Sequence, residues 1–155
     1  MAIRGFFNDA HIVLSRPTGS GGPPPAPTAV PYVWAIVHLL KFSRRALVPF
    51  LIDTGADATT IHPQDSLRVC SESEIKALGN PTAFGGAGAG RNHYPADAVL
   101  VFIHDDGRLQ AIRLTVYVAE PGPHNHMYES LLGRDALDHF VMTFDQKART
   151  ITFGG

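Results

Sequence analysis

Short apolar runs separated by turn-forming residues are the feature that most restricts how this chain can fold. Each run has the length of a strand and is rich in β-branched and aromatic side chains, whereas a helix needs an apolar stripe repeated over a longer stretch. Glycine and proline, 15 and 12 of the 155 residues, supply the turns between the runs. The pattern therefore predicts an all-β fold. The predicted strands cover residues 32–40, 47–52, 98–104, 109–119, 140–144 and 150–153.

Two segments interrupt the strand pattern with helical signals. Ser71-Glu-Ser-Glu74 has the spacing of a capping box, and Gly79 follows where such a helix would stop. Residues 134–139 are predicted to form one or two further turns of helix. Asp106-Gly107, between two predicted strands, is typical of a tight hairpin turn because such turns need positive φ angles.

Size and charge exclude several classes of protein. At 16.7 kDa the chain has the length of one domain, and an apolar content of 45% excludes disorder of the whole chain. A net charge of −1 with 17% charged residues predicts no nucleic-acid partner and no membrane partner. The single cysteine, Cys70, excludes a disulfide framework. We recognise no signal peptide and no apolar run long enough to span a bilayer, and we expect a cytoplasmic protein.

Two segments depart from the pattern through their glycine and proline content. Residues 17–28 contain too much of both for a helix or a strand ladder, and we interpret them as a loop or linker. This insertion divides the chain into an N-terminal segment, residues 1–31, and a main domain, residues 32–155. The second segment, residues 84–90, has glycine at four of its seven positions.

The segment that carries chemistry is Leu51-Ile52-Asp53-Thr54-Gly55-Ala56-Asp57. An apolar strand delivers Asp53 directly into a turn, where a carboxylate is costly unless it is hydrogen-bonded, paired or used. One interpretation is an Asp-Thr-Gly turn whose carboxylate only caps the local backbone, and for the tripeptide alone this interpretation is favoured. The other is a catalytic carboxylate, which the rest of the chain supports.

Three motifs occur in an order that resembles the retroviral-type aspartic proteases, the retropepsin-like family. Residues 51–57 match the family's catalytic stretch, residues 85–88 stand where the family has a glycine-rich flap, and Leu131-Leu132-Gly133-Arg134 matches the segment that crosses behind the catalytic turn. The resemblance covers residues 32–153. It suggests a cellular or bacterial member, because the insertion at 17–28 and the helix at 71–78 depart from the viral pattern.

The resemblance implies a small closed β-barrel with a flap hairpin and one or two short helices. It also implies that each chain supplies one catalytic aspartate, so that an active aspartic endopeptidase is a homodimer acting on a peptide or protein substrate, with no cofactor. Viral members dimerise largely through interleaved chain ends. Because this chain ends in Ile151-Thr-Phe-Gly-Gly155 and carries the insertion near its N-terminus, the resemblance does not tell us which surface pairs.

The implied roles follow residue by residue. Asp53 activates the attacking water, Thr54 hydrogen-bonds across the dimer, and Gly55 lets the substrate backbone approach. Asp57 pairs with Arg134 and contacts the substrate main chain.

The implied flap residues also bind substrate, by closing over it. They are Gly85, Gly86, Ala87 and Gly88. Ala56 and Gly133, together with Arg134, are implied to support the catalytic turn.

Other interpretations are less favoured by the residues. His124 and His126 supply two imidazoles without a third ligand, so we expect no metal site. Cys70 has no neighbouring histidine that would activate a thiol nucleophile. The alternative function is a non-catalytic module of the same fold that dimerises or binds peptides. The intact Asp-Thr-Gly argues against this alternative, because a scaffold has no need of a costly aspartate at that turn.

Overall fold

The computed structural model of the chain describes residues 2–8, 30–84, 92–122 and 128–154. Within these residues the chain is built from ten strands and three short helices. In chain order these are β1 (Ile3–Asn8), β2 (Val30–Leu39), β3 (Arg45–Ile52), β4 (Thr60–Ile61), α1 (Pro63–Val69), α2 (Glu72–Lys76), β5 (Thr82–Ala83), β6 (Asn92–Ile103), β7 (Leu109–Ala119), β8 (Leu131–Leu132), α3 (Arg134–Leu137), β9 (Val141–Asp145) and β10 (Thr150–Gly154).

The strands form one sheet that closes on itself. Its order is β5-β6-β7-β4-β8-β3-β2-β1-β10-β9, and β6 also pairs with β2. This extra pairing, from Ile36 opposite Val101 to Leu39 opposite Ala98, joins six strands into a ring. The predicted all-β fold with a closed barrel and few short helices is thereby confirmed, although three helices are present where one or two were predicted.

The two terminal strands belong to the same sheet as the barrel. The first half of β1 pairs with β10, with Ile3 opposite Phe153, and its second half pairs with the start of β2. β9 then pairs with the far side of β10 and ends the sheet. The division of the chain at residue 31 stays a prediction. The insertion at 17–28 lies outside the described residues.

The core lies inside the ring and continues under β10. Strands β2, β3 and β6 alternate buried and more exposed positions, as expected for strands with one covered face. Burial of these apolar side chains supplies the main stabilisation of the fold. Its largest fully buried apolar members are Phe50, Phe102, Phe153, Ile3, Leu39, Ile61, Ile75, Leu100, Leu132 and Ile151.

The local signals in the sequence account for most of the connections. Ser71 and Glu74 form the predicted capping box at the start of α2, and the hairpin between β6 and β7 turns at Gly107 with a φ of 81°. Helix α1 was not predicted; it starts with Pro63 at its first turn, where a missing amide costs nothing. Within the described residues, no helix is both long enough and apolar enough to cross a membrane.

Strand β6 begins six residues earlier than its prediction, at Asn92 rather than Ala98. It accommodates Pro95 opposite Tyr117 of β7, although proline supplies no amide to a ladder. The prediction stopped short because Pro95 interrupts the apolar alternation. The early start matters for the site, because it brings Asn92 and His93 beside β5.

Candidate catalytic site

Asp53 stands at the point where β3 leaves the sheet. Ile52 is buried and pairs in parallel with Leu132 of β8, and the amide of Asp53 donates to the carbonyl of Leu132 at 3.1 Å. The Asp53 carbonyl then accepts from the amide of Ala56 at 3.2 Å, which closes the turn. The apolar strand thus ends at a partly exposed carboxylate held by a short turn.

The carboxylate of Asp53 is oriented by its own turn. The amide of Gly55 donates to Oδ1 at 2.9 Å. Among the described residues, Oδ2 has no hydrogen-bond partner, so one oxygen is held and the other is open to a ligand or to solvent. The bond to Gly55 is what the turn-capping interpretation also predicts. The partial exposure of the carboxylate is what leaves room for chemistry.

The residues around Asp53 present an accessible face. Thr54 and Gly55 are exposed, and Asp57 forms an ion pair with Arg134 across the turn. The side chains of Asp57 and Arg134 are 82% and 58% exposed, so solvent screens the pair and its contribution to stability is small. The Asp57 hydrogen bond and charge raise the pKa of the Arg134 guanidinium, which stays protonated. Both charged groups remain within reach of a ligand.

The segment after β8 passes directly behind the turn. A Cβ on Gly133 would lie 2.5 Å from the carbonyl carbon and 2.6 Å from the carbonyl oxygen of Ala58, so only glycine fits. The amide of Arg134 donates to the Ala56 carbonyl at 2.8 Å. The residues predicted to support the turn, Ala56, Gly133 and Arg134, are therefore brought together with it.

A set of hydrogen bonds behind the turn, which the sequence did not predict, joins Thr59 to Asp135 and Gly133. The amide and the hydroxyl of Thr59 donate to the two carboxylate oxygens of Asp135, at 3.0 and 2.7 Å. The Thr59 hydroxyl in turn accepts from the amide of Gly133 at 3.1 Å. The one sign of this contact in the sequence is Asp135 itself, an acidic residue in the first turn of α3. Acidic residues are common at the start of helices, so Asp135 alone does not indicate a bond to Thr59.

A buried polar cluster fastens α1 to the strands that form the site. The hydroxyl of Ser130 donates to Asp65 at 2.6 Å and accepts from the backbone amide of His62 at 3.1 Å. The Ser130 carbonyl accepts from the amide of Leu51, two residues before Asp53. Burial raises the pKa of the Asp65 carboxyl, and the Ser130 and Arg68 contacts oppose this effect. The cluster was not predicted, since nothing in the sequence relates residues 62, 65 and 130.

The predicted flap residues, Gly85, Gly86, Ala87 and Gly88, lie outside the described residues. The chain that enters and leaves this segment is described: Ala83 of β5 pairs with Asn92 of β6. Phe84 packs edge-on against the rings of His93 and Tyr117, with centroid separations of 5.1 and 4.7 Å. An antiparallel strand pair with an aromatic base thus flanks the glycine-rich segment on both sides.

The described residues do not form the alternative sites. No group of three or more His, Cys, Asp or Glu in the described part of the chain is arranged to hold a metal ion, and His124 and His126 lie outside that part. Cys70 is buried, and burial raises the pKa of its thiol to about 11. A thiol in this environment is not a nucleophile at neutral pH.

Comparison with known proteins returns structures and no sequence family. No model of a protein family matches the chain. No curated protein matches it either. Thirteen chains of known structure match, among them a retropepsin-like aspartic protease from Rickettsia conorii, with 15% identity and a TM-score of 0.48 over 79% of this chain and 81% of that chain.

Proposed function

We propose that this protein is an aspartic endopeptidase that hydrolyses peptide bonds as a homodimer, with Asp53 of each copy at the shared site. The observation that carries the proposal is the state of Asp53: a partly exposed carboxylate at the end of a buried strand, with one oxygen held by the Gly55 amide and the other open. A carboxylate that only capped its turn would not need the additional support that Gly133, Arg134 and Asp135 provide.

The chemistry needs two carboxylates in different protonation states. The ionised one takes a proton from water, whose oxygen bonds to the scissile carbonyl carbon, while its protonated partner donates to the carbonyl oxygen. The C–N bond then breaks, the amine takes the proton that the first carboxylate removed from water, and a hydroxyl of the tetrahedral intermediate returns a proton to the second carboxylate as the new carboxyl group forms. Like charges a few ångströms apart resist joint ionisation, and this is how two neighbouring carboxylates come to share one proton. One chain offers a single Asp-Thr-Gly, and hence we infer two chains.

The substrate class follows from the surroundings of Asp53. Thr54, Gly55 and the Asp57–Arg134 ion pair are exposed beside Asp53, so polar and charged groups are accessible to the main chain of a bound peptide. The pair of strands β5 and β6, on either side of the glycine-rich segment, supplies a further sheet edge for such a peptide.

Cleavage of an unstructured peptide library, read by mass spectrometry from acidic to neutral pH, tests the proposal. We expect Asp53→Asn to abolish cleavage without changing the circular dichroism spectrum, because the amide keeps the bond from Gly55 and loses the base. The matched control is Asp106→Asn, a substitution in the hairpin turn between β6 and β7, which should retain wild-type cleavage.

Undiminished cleavage by Asp53→Asn would show that the activity does not belong to this site. Peptide binding without cleavage by the wild-type protein at every pH would support the binding-module alternative instead.

A further inference from the structure

Three residues that stand opposite one another form a row beside Asp53. Tyr32 of β2 is opposite Leu51 of β3, and Leu51 is opposite Leu131 of β8. Residues directly opposite one another in a sheet share a face, so the three side chains lie on the same side. Leu51 comes two residues before Asp53, and side chains alternate along a strand, so this is also the side on which Asp53 leaves β3. The row therefore borders the candidate catalytic site.

The two leucines of this row form an apolar surface that solvent reaches. Leu51 and Leu131 are partly exposed, whereas the residues that follow them, Ile52 and Leu132, are buried in the core. Two residues of a strand span about 7 Å. The surface is therefore within reach of a substrate side chain close to the cleaved bond.

The carboxylate of Glu129 lies at the end of this surface that is remote from Asp53. Asp53 follows Leu51 by two residues. Glu129 precedes Leu131 by two residues, and β3 and β8 run parallel. The hydroxyl of Tyr32 donates to Oε1 of Glu129, and this bond spans β3, because β3 lies between β2 and β8 in the sheet. The leucine surface thus has the Asp53 turn at one end and a second carboxylate at the other.

Glu129 is a partly buried negative charge that no described cation neutralises. Carboxylates elsewhere in the described chain, such as Asp57 and Asp97, pair with an arginine. Glu129 forms no ion pair with a described residue, and its Oε2 accepts no hydrogen bond from one. Burial, together with the hydrogen bond to Glu129 and its charge, raises the pKa of Tyr32, so the phenol stays protonated and continues to donate. A partly buried carboxylate in this state favours a cationic ligand.

We propose that Glu129 selects substrates that carry lysine or arginine within two residues of the cleaved bond. This inference rests on the proposed function, because it needs a peptide bound at Asp53. The aliphatic stem of the basic side chain packs on Leu51 and Leu131, and its charged end meets Oε2 of Glu129. A purely apolar side chain fits less well, since it would cover the carboxylate without pairing it. The bond from Tyr32 holds Glu129 in place without neutralising its charge.

Cleavage kinetics on peptides that differ at one position test the assignment. One set carries lysine at a position within two residues of the cleaved bond, and the other carries norleucine there, which has a straight apolar side chain without the charge. We expect the wild-type protein to have a kcat/KM about tenfold higher for the lysine peptide, mostly through a lower KM. Glu129→Gln should bring the two peptides to a similar kcat/KM, because the amide oxygen still accepts from Tyr32 while the charge is gone.

Two further variants separate charge recognition from a structural effect. Glu129→Lys should reverse the preference, so that a peptide with glutamate at the same position is cleaved better than the lysine peptide. The matched control is Glu72→Gln, the same substitution at an exposed position of α2, and it should keep the wild-type preference.

Equal cleavage of the lysine and norleucine peptides by the wild-type protein overturns the proposal. So does a preference that Glu129→Gln retains or that Glu72→Gln loses. Failure of the proposed function gives a different result, which is that the wild-type protein cleaves neither peptide. Isothermal titration of the same peptides into the wild-type protein then tests Glu129 alone: tighter binding of the lysine peptide that Glu129→Gln abolishes supports its role, and equal binding or no binding rejects it.

Discussion

Thr59 and Asp135 lie 76 positions apart in the chain and are joined by two hydrogen bonds, one from the Thr59 amide and one from its hydroxyl. Asp135 also accepts from the amide of Ala136 at 2.8 Å. The carboxylate therefore holds the start of α3 against the end of the turn that carries Asp53. This contact ties the candidate catalytic turn to a helix that is distant in sequence.

Removing this carboxylate should loosen both elements. We expect Asp135→Ala to lower the free energy of unfolding by about 2–3 kcal/mol, because the amide and hydroxyl of Thr59 lose their acceptors in a part-buried position. Urea denaturation measures the change. Asp138→Ala, at the exposed end of the same helix, is the matched control and should be nearly neutral. Equal stability of the two variants would contradict the role of Asp135.

The close approach at Gly133 should tolerate no side chain. We expect Gly133→Ala to lower the free energy of unfolding by about 3 kcal/mol or more, or to prevent folding, because the added methyl would overlap the backbone of Ala58. Gly154→Ala makes the same change where the nearest atom is 4.0 Å away, and it should fold normally. Thermal unfolding of the two variants gives the comparison, and similar melting temperatures would refute the close approach.

The Asp57–Arg134 pair should matter more for activity than for stability. Because both side chains are more than half exposed, we expect Arg134→Gln to leave the melting temperature almost unchanged. If the pair contacts substrate, the same variant loses cleavage activity, mostly through a higher KM. Arg113→Gln removes the exposed pair between Arg113 and Asp97 on the barrel wall; it should leave cleavage unchanged and lower the melting temperature only slightly, as Arg134→Gln does. A large loss of stability in Arg134→Gln would show that the pair is structural.

Cys70 should be inert in the folded protein. With a thiol pKa of about 11, about one thiol in a thousand is ionised at pH 8, and the sulfur is buried. We expect no reaction with a disulfide reagent under native conditions and complete reaction in guanidinium chloride. Cys70→Ala should retain the cleavage activity of the wild type. Rapid reaction of Cys70 with the reagent under native conditions, together with loss of activity, would support a role for its thiol as a nucleophile.

The buried carboxyl of Asp65 should give a recognisable pH dependence. Since burial raises its pKa above the ordinary 3.8, the folded state resists ionisation, and the wild-type protein loses stability as pH rises from about that value through the raised pKa. The stability of Asp65→Asn relative to wild type should therefore increase from acidic to neutral pH.

Asp97 provides a control of opposite sign for this pH effect. The Arg113 hydrogen bond and charge lower the pKa of the Asp97 carboxyl, so its contribution to stability is present above pH 3.8 and is lost as pH falls. Asp97→Asn should accordingly show the reverse trend against wild type in the same denaturation series. Parallel curves for the two variants would contradict the assignment.

The sequence predicted correctly those elements that depend on residues close together in the chain. The capping box of Ser71 and Glu74, the Asp106-Gly107 hairpin and the alternating strands depend on neighbouring residues, and the structure has them. Helix α1 and the early start of β6 were missed because a proline stood in each: Pro63 begins the helix, and Pro95 lies within the strand. Proline is a weak guide at such positions, since tertiary pairing decides whether it is accommodated.

The residues of the candidate site were likewise predicted where they form contiguous motifs and missed where they depend on distant partners. The Asp53-Thr-Gly turn and the Leu-Leu-Gly-Arg segment are contiguous motifs, and they were found as such. Thr59, Asp135, Ser130 and Asp65 were not, because each depends on a partner that is distant in the chain. A threonine or serine in isolation carries no sign of which carboxylate it will meet.

By itself, the sequence determined the all-β class, the position of Asp53 at the end of an apolar strand, and the presence of a single Asp-Thr-Gly in the chain. The tertiary structure alone decided that the sheet closes through β2 and β6, that β1 and β10 pair with each other, and that β9 stands at one end of the sheet formed by the described strands. The physical reason is the distance along the chain over which each effect acts. Propensities and turn chemistry act within a few residues, whereas strand pairing and the satisfaction of buried polar groups join residues that only the folded chain brings together.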